Sequence, residues 1–86
     1  MNIVRTDKFI SDFTKLNEIN KKLVIKQLFN LNKDPKYPSL HTKHIKGSKG
    51  IFEIHITKSV RLTFHLEPGV LVLRRVGSHD KTLKNP

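Results

Sequence analysis

The sequence predicts a small α+β domain: an N-terminal strand, a helical hairpin, then a three-stranded antiparallel meander forming a small twisted sheet packed on the helices. Two patterns carry this prediction. Apolar residues recur at helical spacing between Phe9 and Leu31, and they alternate with polar ones from Phe52 to Leu66. Eighty-six residues with 36% hydrophobic content and no internal repeat make one domain, residues 1–86, with a thin core.

The first strand is "NIVR", residues 2–5, ending at a Thr6-Asp7 pair that reads as a helix N-cap with an acid at the positive end of the helix dipole. Phe9, Phe13 and Leu16 form one helical stripe, and Val24, Leu28 and Leu31 form a second that stops at "NLNKDP". Asn17 to Asn20 breaks them into two helices, with one long kinked helix as the alternative. Both stripes, with Phe9, Phe13 and Phe29, are assigned to the core rather than to base stacking.

Residues 32–50, "NKDPKYPSLHTKHIKGSKG", are too polar for a strand and read as a long basic loop, held over the surface by the elements on either side. The alternative is a plain mobile connector. In "IFEIHIT" and "VRLTFHLE" one face of each strand is apolar and the other carries Glu53, His55, Arg61, Thr63 and His65. A three-residue loop at Thr57 to Ser59 sets His55 opposite Arg61 and Phe52 opposite Phe64, with Cβ atoms about 5 Å apart. The third strand, "VLVLRRV", is apolar on both faces, as a strand buried between neighbours is. Proline cannot take the positive φ at the first position of the usual hairpin turns, so its loop is expected to exceed Pro68-Gly69. That leaves open whether Arg74 or Arg75 joins Arg61.

Seventeen Lys and Arg against seven Asp and Glu give a formal charge of +10 and a pI near 10.2. Such a field attracts polyanions, nucleic acid above all. The basic residues are not gathered on one helix face opposite Trp or Phe, which argues against a membrane-surface role. There are no cysteines, hence no disulfides or thiolate metal sites. "MNIVRTDKF" lacks a signal peptide's apolar run, and no stretch approaches the ~20 apolar residues of a membrane span. A soluble cytoplasmic protein is expected.

The candidate site gathers His44, His55, His65 and His79 with Arg61, Arg75, Lys46 and Lys49 in or beside the sheet. His41 and His44 lie among lysines that would repel a cation, so no metal and no cofactor are expected. A nucleophile elbow is absent as well. What remains suits metal-independent RNA cleavage. The ribose 2′-OH attacks its own 3′ phosphate when one group takes its proton, another protonates the leaving 5′ oxygen, and cations stabilise the added charge. Histidine serves either proton role near neutrality, and arginine's planar fork matches phosphate oxygens. Gly77 is expected to turn the chain sharply so that His79 projects over the sheet towards Arg61.

At these residues the chain resembles the RelE/ParE toxin superfamily, most closely its RelE and YafQ branch. The resemblance covers nearly the whole chain and is most specific from Pro38 to His79, in "KGSKG", "RLTF" and "RVGSHD". It implies a RelE-like fold and the toxin of a bacterial toxin-antitoxin pair. Such a toxin is an endoribonuclease that enters the ribosomal A site, cuts mRNA and is neutralised by a cognate antitoxin. By position the resemblance implies Arg61 at the scissile phosphate, His79 as general acid, His44 as candidate base, and His55 and Arg75 beside them. Lys43, Lys46, Lys49, Arg74 and Lys81 are the expected RNA contacts. Three positions depart from the family pattern: Ser59 lies near an expected aspartate, Glu53 stands where RelE has lysine, and Leu83 replaces the usual aromatic. Tyr37 is the remaining candidate for stacking on a base. Alternatives from other classes are a ParE-like gyrase inhibitor, which needs no acid and base pair, and a plain RNA-binding module, which the scarcity of exposed aromatics disfavours.

Overall fold

The computed structural model describes residues 2–86. In chain order it contains β1 (Asn2–Arg5), α1 (Asp7–Thr14), α2 (Glu18–Lys33), a 3-10 turn (Pro38–Leu40), β2 (Lys43–His44), β3 (Ile51–His55), β4 (Val60–Glu67), β5 (Val70–Ser78) and α3 (His79–Lys84). The sheet has five strands in the order β1-β5-β4-β3-β2. The expected meander β3-β4-β5 is its centre. One strand is added at each edge: β1 runs parallel to β5, pairing Asn2 to Arg5 with Val70 to Leu73, and β2 runs antiparallel to β3.

The helical hairpin forms as its caps dictate. The Thr6 hydroxyl accepts the Phe9 N–H at 3.2 Å and donates to the Leu73 carbonyl at 2.9 Å, so it starts α1 and ties it to β5. Asn17 caps α2 by accepting the Asn20 N–H at 2.8 Å. Phe9, Val24 and Leu31 pack on Ile54, Leu62, Phe64, Leu71, Leu73 and Val76, all essentially removed from water, and Leu40 of the 3-10 turn closes one end. Phe29 departs from the expected core. It is 65% exposed, with the Lys33 ammonium 4.6 Å from its ring centroid, because it stands on the outer side of α2.

Three further expectations are corrected. The loop between β4 and β5 is only Pro68-Gly69, since Glu67 pairs with Val70. Gly69 has φ +70°, which fits a type II turn: proline suits its first central position and only the second requires positive φ. The basic loop does contain a strand, two residues long and too short for alternation to reveal. Gly77 is not a turn; it lies within β5, paired with Arg61.

The polar face of the sheet is also covered in part. α3 and the residues after it lie across β4 and β5, where the Thr63 hydroxyl donates to the Pro86 backbone oxygen at 3.0 Å and Thr82 is buried. Glu53, Arg61 and Thr63 are therefore buried although they belong to the polar set. Beyond the end of β1, Asp12 of α1 closes the free edge of β5, accepting from the Val76 N–H at 3.2 Å and from Arg75 at 2.7 and 3.2 Å. No helix among the described residues is long and apolar enough to cross a membrane.

Candidate functional site

Register builds the site. β3 and β4 pair His55 with Arg61 and Phe52 with Phe64, the pairing that a three-residue loop at Thr57 to Ser59 predicts. On the next strand Gly77 stands opposite Arg61, so no side chain crowds the guanidinium from that side. His79 follows at the start of α3, where its N–H donates to the Ser59 carbonyl at 2.9 Å. Ser78 caps that helix by accepting the Lys81 N–H. His79 thus sits at the beginning of β4, its imidazole about half exposed and its Nδ1 3.3 Å from the Asp80 carboxylate.

His55 is the electrostatic centre of the group. Burial, followed by the charges of Arg61, His41 and His79, lowers its pKa below the ordinary histidine value, while Glu53 pulls the other way. The result favours neutral imidazole. His41 is a member that the sequence reading missed; its ring lies 4.8 Å from that of His55, centroid to centroid. The 3-10 turn that begins at Pro38 and buries Leu40 delivers His41 there, at φ +49°. Proline at the first position of that turn was the one signal available in the sequence. At the same end of β3, Gln27 of α2 donates to the His55 carbonyl at 3.0 Å and to the Ser39 carbonyl at 3.2 Å, fixing the strand against helix and turn.

Arg61 is nearly buried. Its Nη1 donates to the Thr57 carbonyl at 3.0 Å, and its Nε lies 4.0 Å from Glu53 Oε1, beyond hydrogen-bond distance. A groove of about 290 Å³ runs between β2, β3 and α3, lined by Lys43, His44, Lys46, Glu53, His79 and Leu83 together with Ile45. Lys43 stands directly opposite Glu53. Cationic walls with a histidine at one end suit a phosphodiester.

The other candidates have further partners. His44 pairs with Phe52, on the sheet face turned to the helices, and its ring packs edge-on against Phe52 at 5.5 Å. It borders a neighbouring groove with Tyr37, His41 and Thr42. Arg75 pairs with Thr63 but spends its guanidinium on Asp12, which raises its pKa further. Burial alone would raise the Asp12 carboxyl; the Arg75 and Val76 hydrogen bonds and the charges of Arg75 and Lys81 overturn that and hold it low. Lys81 lies 3.8 Å from the same carboxylate. Arg74 occupies a bulge between the Thr63 and Phe64 pairings, a displacement that resolves the open register. It donates to the Pro86 backbone oxygen at 3.1 Å and meets His65 Nδ1 at 2.8 Å. Lys49 is exposed in the turn before β3.

No protein-family model matches the chain, and no curated protein matches it significantly. Solved structures do. A copper-bound mutant toxin from Helicobacter pylori shares 26% identity at a TM-score of 0.71, over 94% of this chain and 97% of its own. A YoeB/ParE toxin from Agrobacterium tumefaciens reaches a TM-score of 0.80 at 16% identity, over 92% and 99%. The RelB-RelE antitoxin-toxin complex from Methanococcus jannaschii gives 0.76 at 15% identity, over 96% and 99%. The fold is that of the RelE/ParE toxin superfamily. Each match runs over more than nine-tenths of the chain.

Proposed function

We propose that this chain is the toxin of a bacterial toxin-antitoxin pair and acts as a ribosome-dependent endoribonuclease on mRNA in the A site. The observation that carries the reading is the placement of His55 beside Arg61, with His79 anchored at Ser59, next to a groove walled by Lys43 and Lys46. It is supported by toxin structures of the same fold, one of them solved with its antitoxin. His79 protonates the leaving 5′ oxygen, and Arg61 meets the scissile phosphate with donors its protein contacts leave free. Lys43, Lys46 and Lys49 hold the flanking backbone. Neutral His55 keeps a second cation away from the buried face while shaping the wall beside Arg61. Arg75 takes no part in proton transfer here because it holds Asp12, while His44 lines the same groove as His79. The +10 charge draws the protein to ribosomal RNA, and a cognate antitoxin is its protein partner in the cytoplasm.

The test is induced expression in a bacterial host, with primer extension on an abundant translated mRNA. In-frame cuts that depend on translation, vanish in His79→Ala and weaken more in Arg61→Ala than in Lys81→Ala are the expected result. Growth arrest without cuts, accompanied by a DNA damage response, would assign the protein to the gyrase inhibitors instead.

A further inference from the structure

The segment between α2 and β3 puts four aromatic rings around one opening. Tyr37, His41, His44 and Phe52 line a groove of about 360 Å³, next to the lysine-lined groove, and His44 is a wall of both. Phe52 is half-buried and stacked on Phe64 at 5.6 Å, while the other three residues are exposed. His44 stands edge-on to Phe52 at 5.5 Å, and the ring of His41 is held against that of His55 at 4.8 Å. Tyr37 has no ring partner among the described residues and is 42% exposed.

The segment that presents these rings is pinned. Asp34 accepts the Lys36 N–H through its carboxylate and the Tyr37 N–H through its backbone carbonyl, each at 2.9 Å. The Thr42 hydroxyl donates to the Pro35 carbonyl, and Leu40 is fully buried between Tyr37 and His41 in sequence. His41 holds φ +49°, a conformation that costs a non-glycine residue energy and persists only where its surroundings enforce it. Rings fixed in this way give up little further entropy when a flat partner arrives.

Unpaired RNA bases are flat partners of this kind. They turn out of the strand to stack on aromatic and histidine rings while cations track the phosphates, and stacking tolerates any base because each has a π face. We propose that the Tyr37 groove receives one unstacked base of the RNA strand whose backbone lies along Lys43 and Lys46, an inference that rests on the ribonuclease reading above. Tyr37 is the stacking platform, His44 is the partition between base and backbone, and Lys36 lies at the groove to meet the base's own phosphate.

The experiment titrates the isotopically labelled full chain with adenosine 5′-monophosphate and, separately, with ribose 5-phosphate, which has the same phosphate and sugar but no base. Ring signals are followed by NMR. The nucleotide should shift the Tyr37 and His44 ring protons upfield in a saturable way, as the ring current of a stacked base requires. Ribose 5-phosphate should move only signals around the lysines. Tyr37→Ala should weaken the nucleotide by about 5- to 100-fold and leave ribose 5-phosphate unchanged. Tyr37→Phe keeps the stacking face and should stay within about twofold of wild type. Equal affinity for the two compounds, or a Tyr37→Ala affinity for the nucleotide within about twofold of wild type, overturns the proposal. Cleavage of mRNA by the wild type is scored apart from binding. Cleavage without base-dependent binding overturns the base groove and leaves the ribonuclease reading standing; base-dependent binding without cleavage supports the groove and refutes that reading.

Discussion

Replacing Asp12 with alanine removes the one carboxylate that ties α1, β5 and α3 together. Its side chain is 5% exposed and that of Arg75 is 16% exposed, so the pair is largely out of water. Removing one partner of a buried pair costs about 3 to 5 kcal/mol, because the other is left uncompensated. Arg75 retains a path to solvent and Asn85 as an alternative acceptor at 3.4 Å, so the lower end, about 3 kcal/mol, applies here. At about 4 to 8 °C per kcal/mol for a domain of this size, the melting temperature should fall by roughly 12 to 24 °C. The Val76 N–H loses its acceptor in the same step.

Urea unfolding followed by circular dichroism measures the difference, with Asp80→Ala as the exposed control. The sign with pH is fixed by the depressed Asp12 pKa. Its stabilisation is fully present above the unfolded carboxylate value of about 3.9 and is lost as pH falls through the lower folded value. The gap between wild type and Asp12→Ala should therefore stay constant from pH 5 to 8 and shrink in acid. A gap below about 1 kcal/mol at pH 7, or one that persists undiminished at pH 2, would refute the assignment of this carboxylate as the clasp.

Other expected outcomes concern separate features. His55 should titrate below ordinary histidine when followed by NMR, and its pKa should rise in Arg61→Ala as that charge is removed; an unshifted His55 would contradict the crowding described. Gly69→Ala should destabilise by about 1 to 2 kcal/mol in the same unfolding assay, because φ +70° penalises a Cβ even though open space surrounds it. Phe29→Ser should change stability by less than about 0.5 kcal/mol, since the ring is mostly in water. A loss of several kcal/mol would mean that Phe29 belongs to the core after all.

Alternation carried most of what the sequence could tell. Period-two patterning over Phe52 to Leu66, combined with the requirement that opposed residues share a face, was enough to pair His55 with Arg61. Thr6 and Asn17 marked both helix starts because capping is a local interaction. What stayed hidden is non-local or shorter than one period. A two-residue strand has no alternation, a bulge at Arg74 shifts register without a composition cue, and β1 finds β5 across 68 positions. The side of β2 on which His44 lies depends on that hidden register, which pairs it with Phe52. Phe29 satisfied hydrophobicity but not helical phase, which places it on the outside of α2. Glu53 read as a departure from a family pattern; its isolation from hydrogen-bond partners becomes visible only once α3 covers the sheet.

The pairing of the first strand with the last has a consequence for the order of assembly. β1 is synthesised before every other element of this sheet, yet its sheet partner is Val70 to Leu73, and His79 follows only six residues later. Contacts of such long sequence separation form late, after the chain entropy of the intervening residues has been overcome. The same closing event that buries the flank of β5 also brings His79 to Ser59. A chain made only as far as β4 therefore has neither a complete sheet nor His79 beside Ser59.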